Sequence, residues 1–476
     1  WPDGKYSNIK GLMVNKRHEI NYNDAQKINL QSLKFPLNKK DASKTYSEVS
    51  MKYGIDHLHE EQQVNDYAYQ RLLPRKLSEN GPSLEVGDLN GDGLEDFLVG
   101  SSFGYSPVIF FQTESGIFEK KILFDNAKML QYEIESMALF DLENDGDLDL
   151  YMVSGGGQFK GGNSNLQDRL FINDGLGYFT LNEIDLPIFS NGSVVTISDF
   201  DKDGYIDLFV GARNVPEQFP NADKSYLLKN IKGVLTPIDL QNNIEFNSLG
   251  MVSDAKWVDI DGDFDDDLVV VGEYSSIQIF KNNKGEFNKI INKELENNKG
   301  LWRCIEIYDK DNDGDFDLLI GNFGSNNMYN ISQETPLNLI SKDIDDNGSI
   351  DPIIFTYQKN KNEEMESYPI QFWKNLIDQS PFFRQKFNSY EDFSNATIND
   401  YKEDKAFEGA KILSVNQDKS MIIENLGNDE FKAIPLPQEA QLAPLNCIFV
   451  KENDFSKTQL FLTGNDMGGN PFEGNH

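Results

Sequence analysis

Six short acidic stretches hold most of the chemistry this sequence offers. The most regular is the third: Asp199, Asp201, Asp203 and Asp207 stand at positions 1, 3, 5 and 9 of a nine-residue loop, with Gly204 at position 6. Carboxylates at that spacing, on a backbone that a glycine lets double back, converge on one point. A point ringed by hard oxygen donors suits a hard cation, calcium first. The other copies are Asp88, Asn90, Asp92 and Asp96; Asp141, Glu143, Asp145 and Asp149; Asp259, Asp261, Asp263 and Asp267; Asp309, Asp311, Asp313 and Asp317; and Asp343, Asp345, Asn347 and Asp351. Position 7 is expected to add its backbone carbonyl. In the fourth copy Phe264 stands where the others have glycine. A phenylalanine at positive φ is strained, so this loop is expected to be distorted or to be the weakest binder of the set.

An EF-hand begins in the same way but needs a glutamate at its twelfth position and flanking helices. Val99 and Val210 occupy that place in the first and third loops, each inside an apolar strand, which excludes the EF-hand. Asp/Gly-rich hairpin turns would explain one copy. They do not explain six in the same register. More than a third of the 78 acidic residues lie in these loops, and the formal net charge is −34. A chain this acidic lacks the basic patches of a nucleic-acid binder. Without metal the clustered carboxylates repel, so stability is expected to depend on calcium, which binds only the folded state.

The loops need elements to position them. Their first residues are 88, 141, 199, 259, 309 and 343. A recurrence near 50–60 residues built from short strands indicates a β-propeller or a related array. Strands precede the loops at residues 136–140, 194–198 and 304–308, and apolar strands ending in glycine follow at 97–100, 268–272 and 318–321. Hairpins with an Asn/Gly turn come next, at 170–179 and 279–287. Four strands per repeat make a blade. A degenerate seventh unit shows at 446–450 and 460–464, around Lys451–Ser456, which lacks the ligand pattern. The fold class expected is all-β, a propeller of seven blades.

These loops resemble the calcium-binding repeats of the FG-GAP/VCBS proteins, the group that includes the integrin α-subunit propeller. The segments Leu72 to Pro82, Gly211 to Pro216 and Ser225 to Leu228 are similar to large VCBS-repeat lipoproteins of Bacteroidota, and Trp1 to Gly4 with Val14 to Lys16 to the end of an ASPIC/UnbV-type domain. The resemblance implies about five or six calcium ions, an exported protein on the outer face of the outer membrane, and an accessory role beside a SusC/SusD-like uptake system. On this reading residues 1–25 are the tail of a preceding β domain, 26–79 a linker and lead-in, and 80–476 the propeller, within a longer polypeptide. Loops of sub-millimolar to millimolar affinity would fill outside a cell, which agrees with export.

Cys304 and Cys447, in the fifth and seventh repeats with one repeat between them, are expected to be two buried free thiols. A helical insertion at about 358–410 interrupts the sixth repeat and carries Phe372, Trp373, Phe382, Phe383, Phe387, Tyr390 and Phe393. It is either a docking platform or a helical pair packing its rings onto a blade face. Catalytic signals are sparse. The His57-x-His59-Glu60 stretch offers a metal pair without a third ligand, and the sequence holds no P-loop or dinucleotide fingerprint. Arg213 is expected to pair with a neighbouring acidic loop. The function expected is therefore non-enzymatic: a calcium-binding surface propeller that binds a protein or glycan. A polysaccharide-active enzyme on the same scaffold and a structural spacer in an adhesin are the alternatives, and a buried acid pair in a cleft would favour the enzyme.

Overall fold

The computed structural model describes residues 5–6, 21–24, 26–27, 46–124, 129–182, 186, 188–238, 246, 249–453 and 457–466. Trp1 to Gly4, Val14 to Lys16 and residues 39–45 of the expected linker lie outside them. The chain divides into two units, Trp1–Ser50 and Met51–His476. In the first, β1 (Lys5–Tyr6) pairs antiparallel with β2 (Gln26–Lys27).

The second unit is all-β in its framework. Its first sheet holds β3 (Leu84–Gly87), β4 (Asp96–Val99), β5 (Val108–Gln112) and β6 (Phe118–Ile122) in that order. The next holds β7 (Glu133–Phe140), β8 (Asp149–Gly155), β9 (Arg169–Ile172) and β10 (Thr180–Leu181), and the third β11 (Gly192–Ser198), β12 (Asp207–Ala212), β13 (Tyr226–Asn230) and β14 (Leu235–Pro237). The fourth holds β15 (Met251–Val258), β16 (Asp267–Ser276), β17 (Gln278–Asn283) and β18 (Glu286–Lys289), with β19 (Lys299–Leu301) also paired to β16. Every connection in these sheets is an antiparallel neighbour, and each acidic loop joins the first strand to the second.

Successive sheets face one another through shared cores. Period-2 alternation sends neighbouring side chains of one strand to opposite faces. On β12, Leu208 and Val210 pack towards the second sheet while Phe209 packs towards the fourth. On β16, Leu268 and Val270 face the third sheet, and Val269 and Val271 face the fifth. Both faces being buried, these strands read as unbroken apolar runs.

The fifth sheet departs from the expected series. It begins with β20 (Cys304–Tyr308) and β21 (Asp317–Gly321), and the chain then leaves it. A separate sheet follows: β22 (Leu337–Lys342), β23 (Asp351–Lys359) and β24 (Met365–Pro369), with β25 (Lys411–Val415) paired to the free side of β22. Only afterwards do β26 (Met421–Asn425) and β27 (Phe431–Pro435) return to complete the order β20-β21-β26-β27. The sixth acidic loop thus belongs to a sheet inserted within the fifth, and does not open a sixth member of the series. A final hairpin, β28 (Cys447–Asn453) and β29 (Lys457–Thr463), packs Ile448, Val450 and Leu462 against Leu319 of the fifth sheet. Among the described residues the framework is propeller-like, with four four-stranded sheets and one five-stranded sheet in series, one inserted sheet and one hairpin.

Among the described residues α-helices are few: α1 (Asp66–Tyr69), α2 (Lys293–Asn297), and α3 (Trp373–Gln379), α4 (Phe382–Lys386), α5 (Tyr390–Asn395) and α6 (Ile398–Lys402) between β24 and β25. The last four cover one face of the inserted sheet. Trp373, Phe383, Phe387, Tyr401 and Phe407 pack with Ile340, Ile353 and Phe355, whereas Phe372 and Tyr390 remain exposed. Packing accounts for most of the insertion's aromatic residues. The opposite face of that sheet rests on Leu73, Leu77, Phe219 and Tyr274.

Cys304 is buried and Cys447 exposed, both as free thiols, so the expectation of two buried thiols fails at Cys447. Because the sixth repeat is an insertion, their strands β20 and β28 are neighbours with no sheet between them. Among the described residues no helix is long and apolar enough to cross a membrane.

Candidate metal loops

All six loops share one backbone fold. The position-1 aspartate is its hub: one carboxylate oxygen accepts the position-6 N–H, from Gly93 at 2.8 Å, Gly146 at 2.9 Å, Gly204 at 2.9 Å, Phe264 at 2.9 Å, Gly314 at 3.2 Å and Gly348 at 2.8 Å. The loop curls around that carboxylate because positions 4 and 6 both take left-handed φ. In the third loop Lys202 has φ 59° and Gly204 φ 92°. Phe264 adopts φ 70° and keeps the shared hydrogen bonds, so the fourth loop is not distorted. Its ring points into open space, 83% exposed. The penalty there is one of backbone conformation, on the order of 1–3 kcal/mol for a non-glycine residue held at positive φ.

The position-9 aspartate anchors the loop to its sheet. Asp96, Asp149, Asp207, Asp267, Asp317 and Asp351 are all buried. In five loops its Oδ2 accepts the N–H of position 2, from Leu89, Leu142, Ile260, Lys310 and Ile344. Its Oδ1 accepts a backbone N–H from the third strand of its own sheet or the residue just beyond it: Gln112 at 2.8 Å, Asn173 at 2.9 Å, Asn230 at 2.7 Å, Asn282 at 2.7 Å and Asn425 at 2.8 Å.

Those asparagines do a second job that the sequence reading missed. Each donates its side-chain amide to the position-2 carbonyl of the preceding sheet's loop: Asn173 to Leu89 (3.0 Å), Asn230 to Leu142 (2.9 Å), Asn282 to Phe200 (2.7 Å) and Asn425 to Ile260 (2.8 Å). Each of the first four loops is thereby tied to the next sheet. The signal was the asparagine that opens every Asn/Gly hairpin turn.

Metal-binding geometry is partly assembled. Ligand oxygens lie within 4.8 Å of one another in four loops: Asp199, Asp201 and Asp203; Asp259, Asp261 and Asp263; Asp309, Asp311 and Asp317; and Asp343, Asp345 and Asp351. The carboxylates of the first two loops form no such triple; there Asn90 replaces one acid, and Glu143 bonds to Asp149. Burial pushes Asp149, Asp207 and Asp267 up to about 7 and Asp351 to about 6, with neighbouring loop carboxylates adding to the shift. In the third loop Asp207 Oδ2 and Asp201 Oδ1 are buried without a hydrogen-bond partner. Lys229 pairs there with Asp201, and with Asp203 at 3.1 Å, partly neutralising the cluster. Crowded, desolvated, all-oxygen donors with unsatisfied lone pairs fit a hard divalent cation.

Other expected residues fall elsewhere. His59 hydrogen-bonds Glu61 at 2.6 Å and His57 lies edge-on to Phe110, and neither belongs to a metal-ligating cluster among the described residues. Arg213 does form an ion pair, but with Glu135 of β7 at 3.1 Å and not with an acidic loop.

With this geometry in place, the comparisons are consistent. Residues 88–152, 141–210 and 259–320 match the FG-GAP-like repeat. Each match runs from one acidic loop through the strand that follows the next, so the chain carries FG-GAP-like repeats, whose usual setting is outside the cell or on its surface. No curated protein matches the chain. The V. cholerae biofilm matrix protein Bap1 is similar at 12% identity and TM-score 0.30, over 81% of this chain and 66% of that one. BBS1N, solved in complex with ARL6DN, is similar at 10% identity and TM-score 0.27, over 62% of this chain and 91% of that one. At these scores neither likeness bears on function.

Proposed function

We infer that this chain is a calcium-stiffened scaffold of the cell surface whose faces bind a protein or a glycan. The observation that carries the reading is the convergence of three carboxylates within 4.8 Å in four loops of one design. Positions 1, 3, 5 and 9 of each loop would hold the ion, about five or six ions in all. Bound calcium neutralises the loop carboxylates and fixes the turn between first and second strands. The asparagine ties carry that rigidity from sheet to sheet. A resemblance to VCBS-repeat lipoproteins supports a place on the outer face of the outer membrane, as an accessory component beside a SusC/SusD-like uptake complex.

Thermal unfolding in excess calcium and in excess chelator tests this. Each site saturated to about 100 times its dissociation constant adds about 2.7 kcal/mol. Several sites predict a melting temperature that falls steeply on chelation. An unchanged melting temperature, with no metal found by elemental analysis, would overturn the reading.

A polysaccharide-active enzyme is the second reading. The buried carboxylates Glu135 and Asp254 favour it, since both line one cavity and burial raises both, Asp254 to about 6. New reducing or unsaturated ends after incubation with polysaccharides would establish it; their absence across charged and neutral chains would remove it.

A further inference from the structure

A cavity of about 410 Å³ opens where the first strands of the first four sheets approach one another, a size usual for small-ligand sites. It owes nothing to the acidic loops. Three arginines and three acids meet in it as ion pairs: Arg75 with Glu273, Arg213 with Glu135 at 3.1 Å, and Arg303 with Asp466 at 2.9 Å. The Arg75, Glu273, Arg303 and Asp466 side chains are each no more than 12% exposed. Burying so many charges is costly, and well-packed apolar residues would serve stability as well. A buried ionic cluster lining open space points to a site.

The cluster is incompletely satisfied. Arg303 Nε–H is buried without a partner, and so is Ser83 Oγ on the same wall. Arg303 is held down to about 10 by burial and then by the adjacent Arg75, a repulsion that Glu273 and Asp466 offset only in part. An anionic group between them would relieve that repulsion and engage the free N–H. The remaining walls select against a multiply charged anion. Glu85 and Asp254 line the space, pushed by burial to about 7 and about 6, and carboxyl groups exchange hydrogen bonds with hydroxyls in either protonation state. Asn446 and Asn465 supply amides at the rim. A small annex of about 30 Å³, lined by Tyr274, Phe323 and Tyr329, adjoins the same four charged groups, and the Phe323 ring lies 5.8 Å from Arg303.

We propose that this cavity binds a polyhydroxylated monocarboxylic acid of the uronic-sugar class, its carboxylate between Arg75 and Arg303 and its hydroxyls on Glu85, Asp254 and Asn465. The site goes beyond the scaffold reading and does not depend on the metal. The test is isothermal titration of the whole chain, in calcium, with D-glucuronate and D-galacturonate, with D-glucose and inorganic phosphate as comparators. At least one uronate should bind, with glucose and phosphate weaker by about ten-fold or more. Arg303→Gln should weaken the uronate by at least about ten-fold. Because that change leaves Asp466 without its ion-pair partner, Asn465→Asp is the companion variant: Asn465 is exposed, so the melting temperature should hold while the added charge weakens uronate binding. Absence of uronate binding up to about 10 mM would overturn the proposal. So would glucose or phosphate binding as tightly as uronate, or unchanged uronate binding in both variants. A calcium-dependent melting shift, read on the same samples, keeps this outcome separate from the fate of the scaffold reading.

Discussion

The fifth and sixth acidic loops differ by one context and not by motif. Both wrap a position-1 aspartate and bury a position-9 aspartate, and both bring the carboxylates of positions 1, 3 and 9 together. In the fifth, Asp317 Oδ1 accepts from the backbone of Asn425, whose side chain continues to Ile260 of the fourth sheet. In the sixth, Asp351 Oδ1 accepts from Gln379 of α3 at 2.9 Å, and Asp345 accepts from Ser380 at 2.7 Å. The first four serial loops are each tied to the sheet that follows, and the fifth sheet carries the last of those asparagines; the inserted loop is tied to its own helices. The nine-residue motif therefore encodes a loop, while the array is encoded by an asparagine far downstream of it.

Breaking a tie should cost more in the series than in the insertion. In Asn282→Ala the carbonyls of Phe200 and Asp266 lose their buried partner and the turn loses its bond to Gly285, a loss of about 1–3 kcal/mol in urea unfolding. Gln379→Ala, which removes bonds to Asp351 and Ser349 at a half-buried site, should cost about 1 kcal/mol or less. Equal losses would show that the asparagine ties do not distinguish the two regions.

Acidity sharpens the same contrast. A position-9 carboxylate raised by burial binds its proton more tightly in the folded chain than in the unfolded one. Its stabilising contribution is complete below about pH 4 and is lost as pH rises through the folded value. That loss runs to about 7 for Asp149, Asp207 and Asp267, and to about 6 for Asp351. Metal-free chain should therefore melt at a lower temperature at pH 8 than at pH 5. Excess calcium should shrink or reverse that difference, since the ion binds the deprotonated form. A metal-free melting temperature that rises from pH 5 to pH 8 would contradict the assignment of these groups.

The smallest effect expected is at Phe264. Replacement by glycine removes a strained φ from an exposed side chain with nothing packed on it, and should raise stability by about 1 kcal/mol, less what glycine adds to the flexibility of the unfolded chain. A decrease would mean that the ring has a partner of its own.

Much of this was legible in the residues. Loop spacing, apolar strands ending in glycine and Asn/Gly turns each reflect local chemistry, and the serial four-stranded sheets follow from them. What stayed hidden depends on long-range pairing. The interval of 34 residues between loops starting at 309 and 343 is too short for a four-stranded sheet, yet nothing local at Met421 to Asn425 says that this strand joins β21 across about a hundred residues. The left-handed position 4 was also visible in hindsight, since Gly91, Asn144, Gly262 and Asn312 are residue types that tolerate it. The arginine cluster could not be read at all: Arg75, Arg213 and Arg303 are far apart in sequence and meet only through the packing of the sheets.

The central claim is that these loops are metal sites, and the most direct measurement is a crystal structure of the chain grown in calcium, read for anomalous density at the loops. The account predicts peaks ringed by Asp199, Asp201, Asp203 and Asp207, and by the corresponding residues of the other loops, with the peak at the Phe264 loop the weakest. Well-ordered loops without density, in crystals holding millimolar calcium, would contradict it.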